Sequence, residues 1–191
     1  MNDRVCRCVL GCVLFFTACA SSSAKPAPAS PTAPPAGAAS PPANAAAPLA
    51  GGKEALVLIK EIEAEPFRED DAFKAKMTVV MQWLTETPDI TVILCAEMLP
   101  QADDARPHDG ALFIQAMFGQ AAYLLEHPGT QPKDAAAFTS GLVTAVRAYR
   151  KLQALHPNER SAAWDALDAD ERKDGLSTRV RNAMPACVKE K

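Results

Sequence analysis

The sequence has few of the residues on which most enzymes and cofactor sites depend. Its 191 residues include three His, two Trp and two Tyr. The spaced patterns of zinc proteases, serine hydrolases, phosphate loops and dinucleotide-binding turns are all missing from it. It has 20 basic and 23 acidic residues, a formal net charge of −3, and no basic stripe with interleaved aromatics. We therefore expect no cofactor and no nucleic-acid partner.

The N-terminus has the order of a secretory signal. Basic residues come first, then the apolar run 9–16, then small residues that end at Cys19. The stretch Phe16-Thr17-Ala18-Cys19 resembles the lipobox of bacterial lipoprotein precursors. This resemblance implies that residues 1–18 are a signal peptide and that the Cys19 thiol carries a diacylglyceryl group. The stretch that ends at Cys12 is an alternative lipobox, although it would leave a shorter apolar region.

Residues 19–51 are predicted to be a disordered tether. Of the 31 residues from Ala20 to Ala50, 13 are Ala, 8 are Pro and 5 are Ser. Such a stretch has little bulky apolar surface to bury, so nothing offsets the entropy of ordering it. Ala20 and Ser21 after the cysteine resemble the sorting pattern of outer-membrane lipoproteins. That resemblance implies a cell-envelope protein, anchored to the outer membrane by lipid and facing the periplasm.

The remaining residues, 52–191, are predicted to form one all-α domain, a single bundle of about six helices. Apolar residues recur at helical spacing, and Asp, Pro and Gly stand where helices begin or end. The predicted helices cover residues 53–64, 70–86, 111–125, 134–155, 159–167 and 176–183. Asn158 is expected to cap the fifth of these.

Two segments are less regular. Residues Ile90–Leu94 are mostly β-branched and read locally as a strand, but no second strand is available to pair with them. We therefore expect a short third helix that starts at Pro88. Residues 111–125 have no polar face, which indicates a buried central helix. Its small residues, such as Gly119, would let neighbouring helices pack closely.

Cys95 and Cys187 are the two cysteines that follow the tether. An exported compartment is oxidising and the count is even, so we predict a disulfide that ties the C-terminal tail to the short third helix. The alternative is a pair of buried, reduced cysteines that behave as small apolar residues.

One loop holds the densest group of polar residues: Asp103, Asp104, Arg106, His108 and Asp109. Its spacing matches no calcium loop, so a ligand role competes with a simpler one, in which Asp109 caps the central helix. His127 and His156 each precede a proline at a predicted helix end. There an imidazole is expected to meet terminal carbonyls rather than a metal.

Three segments, Gln82–Asp89, Met117–Tyr123 and Val146–Arg150, resemble parts of uncharacterised, exported all-helical bacterial proteins. That resemblance implies no activity. We expect a non-catalytic binding or scaffolding domain that is held at the membrane by its lipid and that engages an envelope protein. The alternatives are a helical protein that resembles periplasmic acid-stress chaperones or immunity proteins, and an enzyme of unidentified class.

Overall fold

The fold is all-α, as predicted. The computed structural model describes residues 49–103 and 106–188, and these residues contain no strand. The six α-helices are α1 (Gly52–Ala64), α2 (Asp71–Glu86), α3 (Asp109–Glu126), α4 (Ala135–Leu155), α5 (Ala162–Glu171) and α6 (Leu176–Cys187). A 3-10 turn, Pro157–Glu159, separates α4 from α5. No helix among the described residues combines the length and the apolar character needed to cross a membrane.

The first two helices follow the predicted stripes of apolar residues. In α1, Ile59 and Ile62 are fully buried, and α1 packs against α2 and α3. The Asp70 carboxylate accepts a hydrogen bond from Phe73 N at 2.9 Å and so caps α2. Leu49, which was assigned to the tether, packs against the apolar cluster around Ile59.

The prediction of a short third helix that starts at Pro88 is wrong. Residues 90–94 have neither helical nor strand hydrogen bonding. Ile93 N instead donates to Oε1 of Gln120, which is only 2% exposed, at 2.8 Å. Because a buried side chain satisfies this backbone donor, β-branched residues need not adopt the helical conformation that they disfavour.

The centre of the fold is the pair α3 and α4. As predicted, α3 is the buried central helix, and its small residues allow a close crossing. A Cβ atom added at Gly119 would lie 2.3 Å from Thr144 Oγ1, and one at Gly141 would lie 2.6 Å from Ala116 O. Both glycines are therefore required by the short distance between the two helix backbones.

The last two helices differ from the prediction in their bounds: α5 starts later than expected, and α6 ends later. Asn158 does not cap a helix; it lies within the 3-10 turn, and α5 starts after Ser161. The buried hydroxyl of Tyr149 accepts from Ser161 N at 3.0 Å, which fixes the chain at that point. Helix α6 starts at Leu176 as predicted but continues to Cys187, past Pro185.

Candidate functional site

Two of the predicted functional residues, Cys19 and Asp104, lie outside the described residues. The structure therefore shows neither the predicted lipidation residue nor one member of the polar loop.

The predicted pairing of Cys95 with Cys187 is present. The two residues form a disulfide across 92 positions of sequence, and their Cα atoms are 5.5 Å apart. Cys187 is the last residue of α6, whereas Cys95 lies in the irregular segment rather than in a helix. The bond therefore joins α6 to the 87–103 segment.

Glu97 lies beside this disulfide, with Oε2 at 3.1 Å from Cys95 Sγ. In the part of the chain that the structure describes, Cys95, Glu97 and Cys187 are the one group of three potential metal ligands whose ligand atoms all lie within 4.8 Å of one another. Both sulfurs are bonded to each other, so neither is a thiolate ligand in this oxidised form.

In the polar loop, Asp103 and Asp109 both form ion pairs with Arg106 of the same loop. Asp109 Oδ2 accepts from Arg106 Nε and from Asp103 N, both at 3.1 Å, and Arg106 Nη1 is 2.7 Å from Asp103 Oδ2. The hydrogen bond to Asp109 is the main influence that raises the pKa of Arg106. The prediction that Asp109 caps α3 is wrong, because His108 occupies the cap position and the Asp109 carboxylate binds the preceding loop instead.

His108 is directed away from those carboxylates. Its Nδ1 lies 2.7 Å from Glu159 Oε1, and its ring stacks on that of His156 with centroids 4.5 Å apart. The Nδ1 atom of His156 also lies 3.9 Å from the same Glu159 oxygen. His156 thus contacts another ring, contrary to the prediction of a terminal carbonyl. His127 fulfils that prediction, with Nδ1 2.9 Å from Tyr123 O.

A groove of about 660 Å³ lies between α1, α3, α4 and α6. Its floor is the close crossing of α3 and α4, where Gly119 lies beside Ser140 and Thr144. Arg147 of α4 and Arg181 of α6 are exposed and line it.

The arginines of the groove differ from the other arginines in the described residues. There are eight in all, and six are paired with carboxylates: Arg68, Arg106, Arg150, Arg160, Arg172 and Arg179. Arg147 and Arg181 have no carboxylate partner among the residues described, although Arg181 Nη2 donates to Thr178 Oγ1 at 3.2 Å. Both unpaired guanidinium groups therefore belong to the same groove.

Glu63 lies on the α1 side of the groove and is also incompletely paired. Its Oε1 is buried and has no hydrogen-bond partner among the described residues. Burial is the main cause that raises the pKa of Glu63, opposed by the positive charges of Lys60 and Arg147. Buried polar atoms without partners are uncommon in folded proteins, and among the described residues Glu63 is the one ionisable side chain that has such an atom.

Sequence reasoning did not single out Arg147 or Arg181. With Arg150 and Lys151, Arg147 has the position of a cation near the C-terminal end of a helix, where positive charge is favourable and needs no ligand to explain it. The available signal was a second stripe: Ser140, Thr144 and Arg147 fall at i, i+4 and i+7, on a polar face of α4 beside the apolar one. No pattern in the sequence shows that Arg181 reaches the same groove.

No protein-family model, curated protein or solved structure matches the chain.

Proposed function

We propose that the chain is a lipid-anchored cell-envelope protein whose helical domain is a non-catalytic binding module, with the groove as its binding site. The anchor part of the proposal rests on the lipobox-like sequence that ends at Cys19 and on the Ala- and Pro-rich stretch after it. This order indicates a lipid, a spacer and then a folded domain.

The observation that carries the binding part is the location of the unpaired arginines. A guanidinium group presents five donors, and six of the eight described arginines satisfy theirs partly with a carboxylate of the same chain. Arg147 and Arg181 instead face a groove that is bounded by four helices. An arginine is well suited to recognise a partner at such a place, because its planar fork binds directionally.

A flexible spacer would favour this role. It would let an anchored domain search a volume near the membrane and meet its partner at a raised effective concentration. Removal of the lipid would then weaken binding to the partner, while the stability of the helical domain would stay the same.

The proposal is tested by site-specific photo-crosslinking in cell envelopes. A photoreactive amino acid replaces Ala136 or Ser177, which are exposed at the groove, or Ala163 on α5 as a matched exposed control. We expect one recurrent protein adduct from the two groove positions, absent at Ala163. In a Cys19→Ser chain, the adduct should be lost because the domain has left the membrane.

Adducts that are equal at Ala163 and at the groove positions would contradict the groove as binding site. An unchanged adduct and an unchanged membrane fraction in Cys19→Ser would contradict the anchor instead.

A further inference from the structure

The two unpaired arginines are held on rigid parts of the fold. Arg147 lies between the buried residues Val146 and Ala148 of α4, and Arg181 follows buried Val180 of α6. Helices α4 and α6 pack directly on each other, and the disulfide fixes the end of α6. The guanidinium groups therefore extend from backbones that do not need to be ordered when a ligand binds.

The charges of the groove favour single carboxylates over denser anions. Lys60 Nζ is 3.3 Å from Glu126 Oε1 and 3.7 Å from Glu63 Oε2, so the α1 side is occupied by an acidic pair with its own cation. A phosphate would bring a double negative charge close to those carboxylates. A carboxylate matches the arginine fork with one charge and two parallel hydrogen bonds.

The shape of the groove favours a chain segment over a small molecule. Its lining on α4 runs from Ala135 to Arg147. At 1.5 Å per residue this is about 18 Å, the length of roughly five residues of extended peptide. A single small carboxylate would fill only a part of that length.

Hydroxyl groups along the same wall suit a peptide backbone. Thr139 Oγ1 donates to Ala135 O at 2.7 Å and Ser140 Oγ donates to Gly119 O at 3.1 Å. Their hydrogens are used, but each oxygen can still accept a hydrogen bond from a backbone N–H group.

From these observations we infer that the groove binds an acidic segment of a protein partner, with carboxylates of the segment on Arg147 and Arg181. This inference rests on the proposed function, since it names the chemistry of the partner at the same groove.

The test uses the full chain and a fluorescent peptide of alternating glutamate and glycine, with the matching glutamine peptide as control. Fluorescence anisotropy should show binding of the glutamate peptide only, weaker at raised salt. Each of Arg147→Met and Arg181→Met should lower the affinity about tenfold or more, because each loses a charge-assisted hydrogen bond. Arg160→Met removes the same charge outside the groove and should leave the affinity unchanged.

Equal binding of the two peptides, no binding of either, or an equal loss in Arg160→Met would overturn the inference. Glutarate serves as a small competitor. If glutarate saturates the groove at lower concentration than the peptide, the occupant is a small carboxylate and the assignment to a protein segment is wrong.

The crosslinking experiment separates these failures from failure of the proposed function. If groove adducts form in envelopes but persist in the Arg147→Met, Arg181→Met double variant, the groove is a binding site and the acidic segment is wrong. If no groove adduct forms, the proposed function itself fails.

Discussion

Two arginines one turn apart on α4 have opposite surroundings. Arg150 is paired with Asp168 and Glu171 across the contact with α5, and Asp168 also accepts from Arg172. Arg147, three residues earlier, forms no ion pair with any carboxylate in the described part of the chain, and it lines the groove. The same residue type on the same helix thus joins elements of the fold in one case and lines an open groove in the other.

The pKa shifts of the neighbouring groups agree with this difference between Arg150 and Arg147. The hydrogen bond to Glu171 is the main cause that raises the pKa of Arg150. Burial acts to raise the pKa of Asp168, but its bonds to Arg150 and Arg172 outweigh burial, so that pKa is lowered. The pKa of Glu63 in the groove is raised instead, because burial outweighs the opposing positive charges of Lys60 and Arg147. Ion pairing is therefore complete between α4 and α5 and incomplete in the groove.

The largest expected effect comes from releasing α6, which carries both a paired and an unpaired arginine. Replacing Cys95 and Cys187 by Ala opens a loop closed across 92 residues. The chain-entropy model limits the resulting loss to about 4–5 kcal/mol of unfolding free energy. Urea denaturation measures this loss of unfolding free energy. The other four cysteines are replaced by serine in both chains so that no thiol can exchange: Cys6, Cys8, Cys12 and Cys19.

An unchanged urea midpoint would show that packing alone holds α6 against the bundle. The two arginines of α6, Arg179 and Arg181, would then be positioned without the covalent link.

A smaller effect is expected at the floor of the groove, which depends on packing rather than on ion pairs. Gly119→Ala places a Cβ atom 2.3 Å from Thr144 Oγ1 and 2.9 Å from Ser140 O. Overpacking of this kind costs about 1–3 kcal/mol. Gly110→Ala on the same helix is the control, because nothing lies within 4 Å of its added Cβ.

Thermal or urea unfolding of the two variants checks this prediction. If Gly119→Ala were as stable as Gly110→Ala, α3 and α4 would have room to separate and the groove would not be rigid.

The helices of the bundle could be predicted from the sequence because they depend on local signals. The apolar stripe of α2 and the absence of a polar face on α3 are each visible within the sequence of one helix. The disulfide could be predicted because only two cysteines, Cys95 and Cys187, come after Cys19 in the sequence.

Other features depend on distant contacts, and no local pattern showed them. Ile90–Leu94 takes an irregular path because the side chain of Gln120, 27 positions after Ile93, satisfies a backbone donor. The start of α5 is set by the hydroxyl of Tyr149. The groove itself is formed by four helices, and the fact that Arg147 has no ion pair with the described carboxylates becomes visible only when all four are in place.

The most direct test of the difference between paired Arg150 and unpaired Arg147 compares the unfolding free energies of Arg150→Met and Arg147→Met. Met and Arg have similar helix propensity, so the comparison isolates the side-chain contacts. We predict that Arg150→Met loses about 1–2 kcal/mol, because Asp168 and Glu171 lose a partly buried partner. Arg147→Met should stay within about 0.5 kcal/mol of the parent chain. Equal destabilisation by both substitutions would contradict the account, because Arg147 would then be a structural residue like Arg150.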